Sequence, residues 1–338
     1  MPSSNSPVTF LLPDLHALTP FKGGFNPNHD RFQYERAERN ALYSHLPERK
    51  RAFFSAMTGE LLTAHSCPYA TFERLRVLRD FIDLLYVFDL TTDDESGEAA
   101  WSSTHTWSHS FADERYDDGT RLCKLIKRFT AQLRKACHPV APNHYRRFVE
   151  QCRLYAEATA REAEYRERGI VLDLEAYQES RRHASGVLPC LTLAGIAHLT
   201  ELPDEVVDHS AFYTMLIATT DMVWWANDLY SYNMEQAMGH SAHNVLTVLM
   251  KAKGLDLQGA CDYVGAHYAG LIRTYLDAKR RLPSWGARAD RQIAQHAMGM
   301  EAWAVGNINW SFQTARYFGH AHDDVRRTRI VELYPPRT

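Results

Sequence analysis

Apolar residues recur at three- and four-residue spacing along most of the chain, the spacing of helices that bury one face. Between Leu75 and Phe88 they form a single stripe, and towards residue 234 the chain becomes apolar almost all round, as in a helix buried inside a bundle. Strands of alternating polarity with hairpin turns are not evident. The pattern predicts an all-α fold with helices over residues 70–92, 120–137, 143–167, 173–183, 204–238, 241–253, 256–281 and 288–318.

Glycine and proline residues separate these stretches and mark the expected helix ends. No internal repeat and no low-complexity linker divides the 338 residues, of which 45% are hydrophobic, enough to bury a substantial core. We therefore expect one large domain. The expected breaks are residues 19–28, Gly97, 139–142, 186–189, Pro203, Gly239 and 283–286.

The composition of the chain limits the binding partners and the cellular compartments that we expect for it. The net charge is −3 without a long basic run, which argues against a nucleic-acid partner. The six cysteines include no C-x-x-C pair and are typical of reduced thiols in a cytoplasmic protein. The N-terminus lacks a secretory pattern, and apolar runs are shorter than the ~20 residues of a membrane span. We expect a cytoplasmic protein without a membrane span, either a monomer or a homodimer.

Residues 227–235, NDLYSYNME, place three oxygen-bearing side chains four residues apart: Asn227, Ser231 and Glu235. Four residues advance an α-helix by about 400°, so these side chains line one narrow stripe. Such oxygens suit a hard divalent cation such as Mg²⁺. A solvated polar stripe is the alternative interpretation, although Asn and Ser are weak helix formers.

A second acidic stretch, FDLTTDDES, ends the predicted helix over residues 70–92. Asp89 and Asp93 share a face there, although the partial negative charge of a helix C-terminus disfavours carboxylates. A bound cation would remove this conflict, and the apolar run 84–88 favours a carboxylate at Asp89 that points into a cavity. A solvated acidic helix end is the alternative interpretation.

These two stretches, about 135 residues apart, resemble the metal motifs of class I terpene synthases. Residues 227–235 match the second motif, NDxxSxxxE, at every defining position. The first motif, DDxxD or D(E/N)xxD, reads DLTTD at residues 89–93, so Leu90 replaces its second acid or amide. Nearly the whole chain is similar to the fungal, mushroom-type sesquiterpene synthases, including LPDL, NPNHD and, near the C-terminus, WSFQTARYFG.

The resemblance implies a single-domain α-helical bundle of the class I terpene synthase type over residues 1–338, with a central apolar cavity. Residues 1–30 would form an N-terminal strap, and residues 319–338 would fold over the mouth of the site. Three Mg²⁺ ions are expected. Asp89 and Asp93 would hold two of them, with Asp94 as an alternative to Asp93, and residues 227–235 would hold the third through Asn227, Ser231 and Glu235.

The family also carries an arginine that senses diphosphate, upstream of the second metal motif. Arg181 and Arg182 are the candidates, and Arg181 is preferred because it lies 46 residues before Asn227 (227 − 181). Arg316 and Tyr317 match the family's Arg-Tyr pair. Taken singly, each arginine is equally an ordinary surface charge or a structural ion pair.

The implied enzyme is a carbon–oxygen lyase that ionises farnesyl diphosphate and converts the carbocation to a sesquiterpene hydrocarbon or alcohol. The expected catalytic residues are Asp89, Arg181, Arg316 and Tyr317. The residues expected to bind diphosphate are Arg181, Arg182, Arg316 and Tyr317. Aromatic faces stabilise carbocations, although buried aromatic stripes are usually core. The expected substrate-pocket residues are Leu85, Tyr86, Trp224, Asn307 and Trp310.

Three alternatives remain open at this stage. With Leu90 in the first motif, the enzyme could release an acyclic alcohol or accept geranyl diphosphate. A chain-elongating prenyltransferase would need a second aspartate-rich motif, which residues 227–235 do not provide. A non-catalytic helical binding protein is the third alternative.

Overall fold

The computed structural model describes residues 8–138, 142–198 and 202–335, and helices dominate them. The predicted all-α class is confirmed. From the N-terminus to the second metal stretch the helices are α1 Leu15–Leu18, α2 Arg36–Leu42, α3 Glu48–Ala56, α4 Gly59–Ser66, α5 Phe72–Thr92, α6 Gly97–Ala112, α7 Arg121–Ala136, α8 Pro142–Glu167, α9 Leu174–Ala184, α10 Val187–Ala197, α11 Asp204–Val207 and α12 Ser210–Ala237. They are followed by α13 Val245–Lys253, α14 Leu257–Arg280, α15 Ala287–Ser311, α16 Ala315–Phe318 and α17 His322–Thr328. Short 3-10 helices cover His29–Glu35, Ser241–His243 and Gly319–Ala321.

Most predicted helices are found with bounds that differ by one or two residues. Two long predictions were wrong in continuity, because residues 204–238 divide into α11 and α12, and residues 288–318 divide into α15 and α16. In the second case the Thr314 hydroxyl accepts from the Arg316 N–H and starts a new helix. Gly97 begins α6, and Pro189 lies in the first turn of α10, where a missing N–H costs little. Residues 139–141 of one expected break lie outside the described residues.

Helix α12 lies at the centre of the bundle and packs against α14 and α15. Trp224, Trp225 and Tyr230 are almost fully buried on it, as its apolar sequence predicts. Burial of each such side chain stabilises the fold by about 1.5–3 kcal/mol. The metal-motif residues of α12 are therefore held on a rigid central element.

The helix break between α9 and α10 occurs at Gly186, whose φ is +67°. A Cβ at this position would lie 3.1 Å from a Leu85 methyl group and 3.5 Å from the Tyr155 ring. Glycine is suited to both the positive φ and the close approach. The end of α9 is thereby packed directly against α5 and α8.

Two three-residue strands, β1 Thr9–Leu11 and β2 Ile330–Glu332, pair antiparallel with Phe10 opposite Val331. They were not predicted, because three residues are too few to establish a period of two. Asn233 donates to the Glu332 carbonyl at 2.9 Å, and Gln236 donates to the Tyr334 carbonyl at 2.8 Å. By helical geometry Asn233 lies on the opposite side of α12 from Glu235, and Gln236 lies about 100° around the axis from it. Capping of the mouth by residues 319–338 stays a prediction.

Among the described residues, no helix has the length and apolar character required to cross a lipid bilayer. The six cysteines are all buried and form no disulfide.

Candidate active site

A cavity of about 750 Å³ opens between α3, α5, α8, α9, α12 and α16. Its volume lies within the range of about 300–1,000 Å³ that small-molecule sites occupy. Both predicted metal stretches contribute to its lining, Asp89 and Asp93 from α5 and Glu235 from α12. The fold therefore brings together side chains that are distant in the sequence.

Asp89 lies near the end of α5, where its carboxylate accepts a hydrogen bond from the Tyr155 hydroxyl of α8. The same hydroxyl lies 3.3 Å from the Leu85 carbonyl oxygen. Burial raises the pKa of Asp89 to about 7, although the Tyr155 hydrogen bond acts in the opposite direction. A divalent cation at this position would favour the ionised carboxylate.

Asp93 and Asp94 each have a cationic partner at the cavity mouth. Arg166 of α8 lies 3.4 Å from an Asp93 oxygen, and Lys50 of α3 lies 2.6 Å from an Asp94 oxygen. The Asp93 side chain is 49% exposed and that of Asp94 72%. Both acids line the cavity, and the choice between them as a metal ligand stays a prediction.

Of the three motif residues on α12, Glu235 is part of the described cavity lining, and Asn227 and Ser231 are not. The Asn227 amide donates to the Tyr317 hydroxyl at 2.6 Å, and its oxygen accepts from Arg181 at 3.2 Å. Ser231 is fully buried one turn further along. Glu235 accepts from the Asn244 side chain at 2.9 Å, and burial raises its pKa. The three residues form the stripe that the four-residue spacing predicts.

Asp228 lies beside this stripe and has a different set of partners. Its carboxylate accepts from the Tyr177 hydroxyl at 2.6 Å, the Val245 N–H at 3.0 Å and the Arg181 guanidinium at 2.9 Å. These protein donors occupy its oxygens, so Asp228 fixes α9 and α13 against α12.

The two candidate sensor arginines lie on different sides of α9. Arg181 lines the cavity and bonds Asn227 and Asp228. Arg182 forms a bidentate ion pair with Asp221, at 2.8 and 2.9 Å, and Trp224 donates to the same carboxylate at 2.8 Å. The preference for Arg181 as diphosphate ligand stays a prediction, and its position in the cavity supports it.

Arg316 lines the cavity from α16, and its buried Nε has no hydrogen-bond partner. Its guanidinium carbon lies 5.7 Å from the Tyr86 ring centroid and 5.2 Å from that of Tyr317. Among the described residues no carboxylate forms an ion pair with it, although Glu235 and Asp89 act on its pKa from a greater distance. A buried cation without an ion pair is costly unless an anion binds.

Tyr86 is the one expected pocket residue that contributes to the described cavity lining. Leu85 packs against Gly186, and Asn307 donates to the Val223 carbonyl at 3.3 Å. Trp310 donates to the Met57 carbonyl at 3.0 Å and meets Tyr317 edge to face. With Trp224 bonded to Asp221, these aromatic and amide groups are bound within the core, and their role as pocket residues stays a prediction.

Helix α8 supplies a set of cavity residues that the sequence analysis missed, Thr159, Glu162 and Arg166, and the buried Tyr155 that bonds Asp89 lies on the same face. Spacings of four, three and four residues place them on one face. In the sequence this face is indistinguishable from a solvated one, because charged residues cover α8 on several sides. From α3, Phe53 and Lys50 also line the cavity and were equally missed.

Outside the cavity, Asp117, Asp118 and Cys123 bring potential metal-binding atoms within 4.8 Å of one another. Asp118, however, accepts hydrogen bonds from the Thr106, Thr120 and Tyr116 hydroxyl groups. Hydroxyl donors therefore satisfy this carboxylate, and the cluster is an ordinary polar loop.

The side chains around the cavity fit a divalent metal ion with an attached anion. Carboxylate oxygens from α5 and α12 in the cavity lining, those of Asp89, Asp93 and Glu235, are donors that suit a hard cation. The unpaired Nε of Arg316 and the cavity-facing Arg181 are donors for an anion. Acids and arginines in one cavity can therefore hold metal ions and a diphosphate together.

Comparison with known proteins is consistent with this arrangement. Residues 80–274 match the family model described as terpene synthase family 2, C-terminal metal binding. Viridiflorene synthase from Cyclocybe aegerita is 38% identical over 98% of this chain and 87% of its own length. A Coprinopsis cinerea protein named linoleate 10R-lipoxygenase is also 38% identical, over 96% of this chain and 93% of its own.

Among solved structures, hedycaryol synthase in complex with HEPES superposes with a TM-score of 0.77 at 20% identity, over 90% of this chain and 99% of its own. At this identity the likeness shows the fold alone, which is the predicted all-α fold of class I terpene synthases. The family model and the relative named viridiflorene synthase establish that this chain belongs to the terpene synthase family.

Proposed function

We propose that this protein ionises farnesyl diphosphate in a Mg²⁺-dependent reaction and converts the carbocation to a sesquiterpene, with release of diphosphate. The family model and the name of viridiflorene synthase support this class of reaction, and the acids and arginines of the cavity support a diphosphate substrate. The observation that carries the proposal is Arg316, which lines the cavity together with acids of α5 and α12, has a buried Nε and forms no ion pair within the described residues. An anion that arrives with its own divalent cations satisfies both the arginine and the acids.

The resident side chains bind and orient the diphosphate. Asp89 and Asp93 would hold metal ions from α5, and Asn227, Ser231 and Glu235 would hold one from α12. Arg181 and Arg316 donate charge-assisted hydrogen bonds to diphosphate oxygens, which are among the stronger hydrogen bonds in proteins. For Arg181 this requires exchange of its present partner, Asp228.

Separation of an allylic cation from diphosphate is unfavourable in an apolar cavity unless the leaving group is neutralised. Bound Mg²⁺ would act as a Lewis acid and supply positive charge at the diphosphate leaving group. The family resemblance implies three such ions. The protein contributes fixed donors that need no reorganisation during the reaction.

The organic part of the substrate would extend along the apolar side of the cavity. Phe53 and Tyr86 line it, and their rings already contact the Arg316 guanidinium carbon at 5.9 and 5.7 Å. Aromatic faces stabilise a desolvated cation by about 2 kcal/mol or more. These two rings would stabilise positive charge close to the departing diphosphate.

Several expectations from the sequence stay predictions: whether the product is cyclic or acyclic, the use of geranyl diphosphate as a substrate, the cytoplasmic location, and the monomeric or homodimeric state. The single domain with its terminal strap and cap is likewise untested.

The test is incubation of the purified protein with geranyl, farnesyl and geranylgeranyl diphosphates, with and without Mg²⁺. Released diphosphate is measured and volatile products are identified. Mg²⁺-dependent conversion of farnesyl diphosphate to C15 products is expected. Absence of Mg²⁺-dependent diphosphate release from all three substrates would overturn the proposal. An arm with linoleate and oxygen tests the chemistry in the name of one relative.

A further inference from the structure

Two neighbouring cations at the start of α3, Arg49 and Lys50, line the cavity. The Lys50 ammonium donates to the Leu90 carbonyl and lies 2.6 Å from an Asp94 oxygen, so it holds the start of α3 against the end of α5. Arg49 is exposed and, within the described residues, forms no hydrogen bond and no ion pair. Its guanidinium is therefore available to a molecule that binds in the cavity.

The other long cationic side chains of the cavity differ from Arg49 in their partners. Lys50, Arg166 and Arg181 are each paired with a carboxylate. Of the arginine and lysine side chains that line the cavity in the described part of the chain, Arg49 and Arg316 are the two without an ion pair. The first is exposed, whereas the second has a buried Nε.

The ring of Phe53 lies between these two arginines. Phe53 follows Arg49 by four residues, so it lies on the same face of α3, about 6 Å further along the axis. Its ring centroid lies 5.9 Å from the Arg316 guanidinium carbon. The two guanidinium groups without an ion pair therefore flank one aromatic residue, one at the exposed rim of the cavity and one inside it.

We propose that Arg49 is an outer diphosphate ligand, which binds the diphosphate at the rim of the cavity while Arg316 binds it from inside. This inference rests on the proposed function and adds to it a residue of α3 that neither metal motif contains. The planar guanidinium presents several N–H donors that match phosphate oxygens. Because Arg49 has no partner to exchange and stays in contact with solvent, it binds an anion at little cost in desolvation.

A rim contact of this kind has a distinct kinetic signature. It holds the diphosphate equally well before and after the carbon–oxygen bond breaks, and such uniform binding lowers KM without raising kcat. Charges at the rim of a binding site act mainly on the association rate and its dependence on salt. Arg49 should therefore differ from Arg316, whose loss should reduce turnover itself.

The test compares Arg49→Gln with Arg51→Gln. Arg51 lies on the same helix, donates to the Ser44 carbonyl at 2.9 Å and is not part of the described cavity lining, so it controls for the loss of one positive charge. Isothermal titration with inorganic diphosphate at saturating Mg²⁺ measures binding without turnover. We expect the dissociation constant to increase about three- to fivefold in Arg49→Gln and to stay unchanged in Arg51→Gln.

Steady-state kinetics with farnesyl diphosphate at two ionic strengths give the second measurement. In Arg49→Gln, KM should rise by a similar factor, kcat should stay within about twofold, and kcat/KM should depend less on salt than in the wild type. Arg49→Lys, which keeps the charge without the planar donors, should give intermediate values. Thermal melting should show no change in Arg49→Gln, because an exposed side chain without a partner is removed.

A wild-type dissociation constant in Arg49→Gln would overturn the inference. An equal increase in Arg51→Gln would also overturn it, because the effect would then come from the net charge of the protein. A decrease in kcat at unchanged KM is the third contrary result, since Arg49 would then act on the reaction and not on binding.

The diphosphate titration separates this inference from the proposed function. If the wild type converts farnesyl diphosphate and Arg49→Gln binds diphosphate as the wild type does, the function stands and the role of Arg49 is wrong. If the wild type converts no substrate but Arg49→Gln alone weakens diphosphate binding, Arg49 is an anion ligand in a protein of another activity. A wild type that binds no diphosphate would overturn the inference outright.

Discussion

The Asn227 side chain joins α12 to a residue 90 positions further along the chain, because its amide donates to the Tyr317 hydroxyl at 2.6 Å. Its oxygen accepts from Arg181 at 3.2 Å. One amide therefore links the second metal motif and the Arg-Tyr pair to Arg181, the preferred candidate for the diphosphate sensor. Metal coordination by Asn227 would have to change at least the contact with Arg181.

Arg181 and Arg182 form a natural pair of test and control. Replacement of Arg181 by Lys should weaken inorganic diphosphate binding by about tenfold or more, because bidentate donation is lost. Replacement of Arg182 by Lys loses part of the ion pair with Asp221 and should affect stability alone. Isothermal titration with diphosphate and Mg²⁺, alongside thermal melting, measures both effects. Equal loss of diphosphate binding in the two variants would contradict the assignment.

Replacement of Arg316 by Met should separate stability from activity. The guanidinium has no ion pair, so its removal should leave the melting temperature of the metal-free protein unchanged or raise it. Turnover of farnesyl diphosphate should fall about 100-fold or more, because a charge-assisted contact with the leaving group is lost. Thermal melting and a steady-state assay on the same preparation measure the two effects. A variant that is destabilised but active would contradict the role proposed for Arg316.

Loss of an α12 ligand should abolish turnover and leave the fold intact. Asn227→Ala and Glu235→Gln remove oxygen donors from the third predicted metal site, and we expect at least a 100-fold loss in kcat/KM. Asn233→Ala, on the opposite face of α12, is the control and should keep wild-type turnover. Circular dichroism establishes folding. Near-normal turnover in either ligand variant would count heavily against the proposed site.

Magnesium affinity should depend on pH through Asp89, whose pKa burial raises to about 7. The folded, metal-free protein holds a proton that the unfolded chain releases above about pH 4. The stability that this group contributes is therefore present at low pH and is lost as the pH rises from about 4 to about 7. Metal binding requires the ionised form and shows the opposite trend.

Below pH 7 we expect the Mg²⁺ midpoint of thermal stabilisation, measured without diphosphate, to rise by up to about tenfold per pH unit for each proton displaced. Asp89→Asn is the control, and its residual midpoint should vary less with pH. A wild-type midpoint that is constant between pH 6 and 8 is the contrary result.

The helical periodicity was sufficient to predict most of the fold, because each long helix buries a continuous apolar stripe. It failed where a local cap competes with the pattern, as at Thr314, whose hydroxyl begins α16 within an otherwise continuous helical stretch. The periodicity also missed α6, because many small and hydroxyl residues weaken the apolar stripe of this helix. It equally missed the two strands of three residues.

Within the site, short motifs identified Asp89, Glu235 and Arg316 as cavity residues because their spacing is informative by itself. Tyr155 and Glu162 carry no such spacing signal, and only the packing of α8 against α5 shows that Tyr155 bonds Asp89 and that Glu162 lines the cavity. Pocket aromatics are the hardest to predict, since a core Trp and a cavity Trp have the same sequence environment. The hydrogen bond of Trp224 to Asp221 distinguishes them only in three dimensions.

The antiparallel pairing of Thr9–Leu11 with Ile330–Glu332 has a practical consequence for engineering. A fluorescent reporter or surface linker attached beyond either strand would start beside the other strand, on the side of α12 that carries Asn233. Immobilisation through either attachment would therefore hold the molecule by that side of α12.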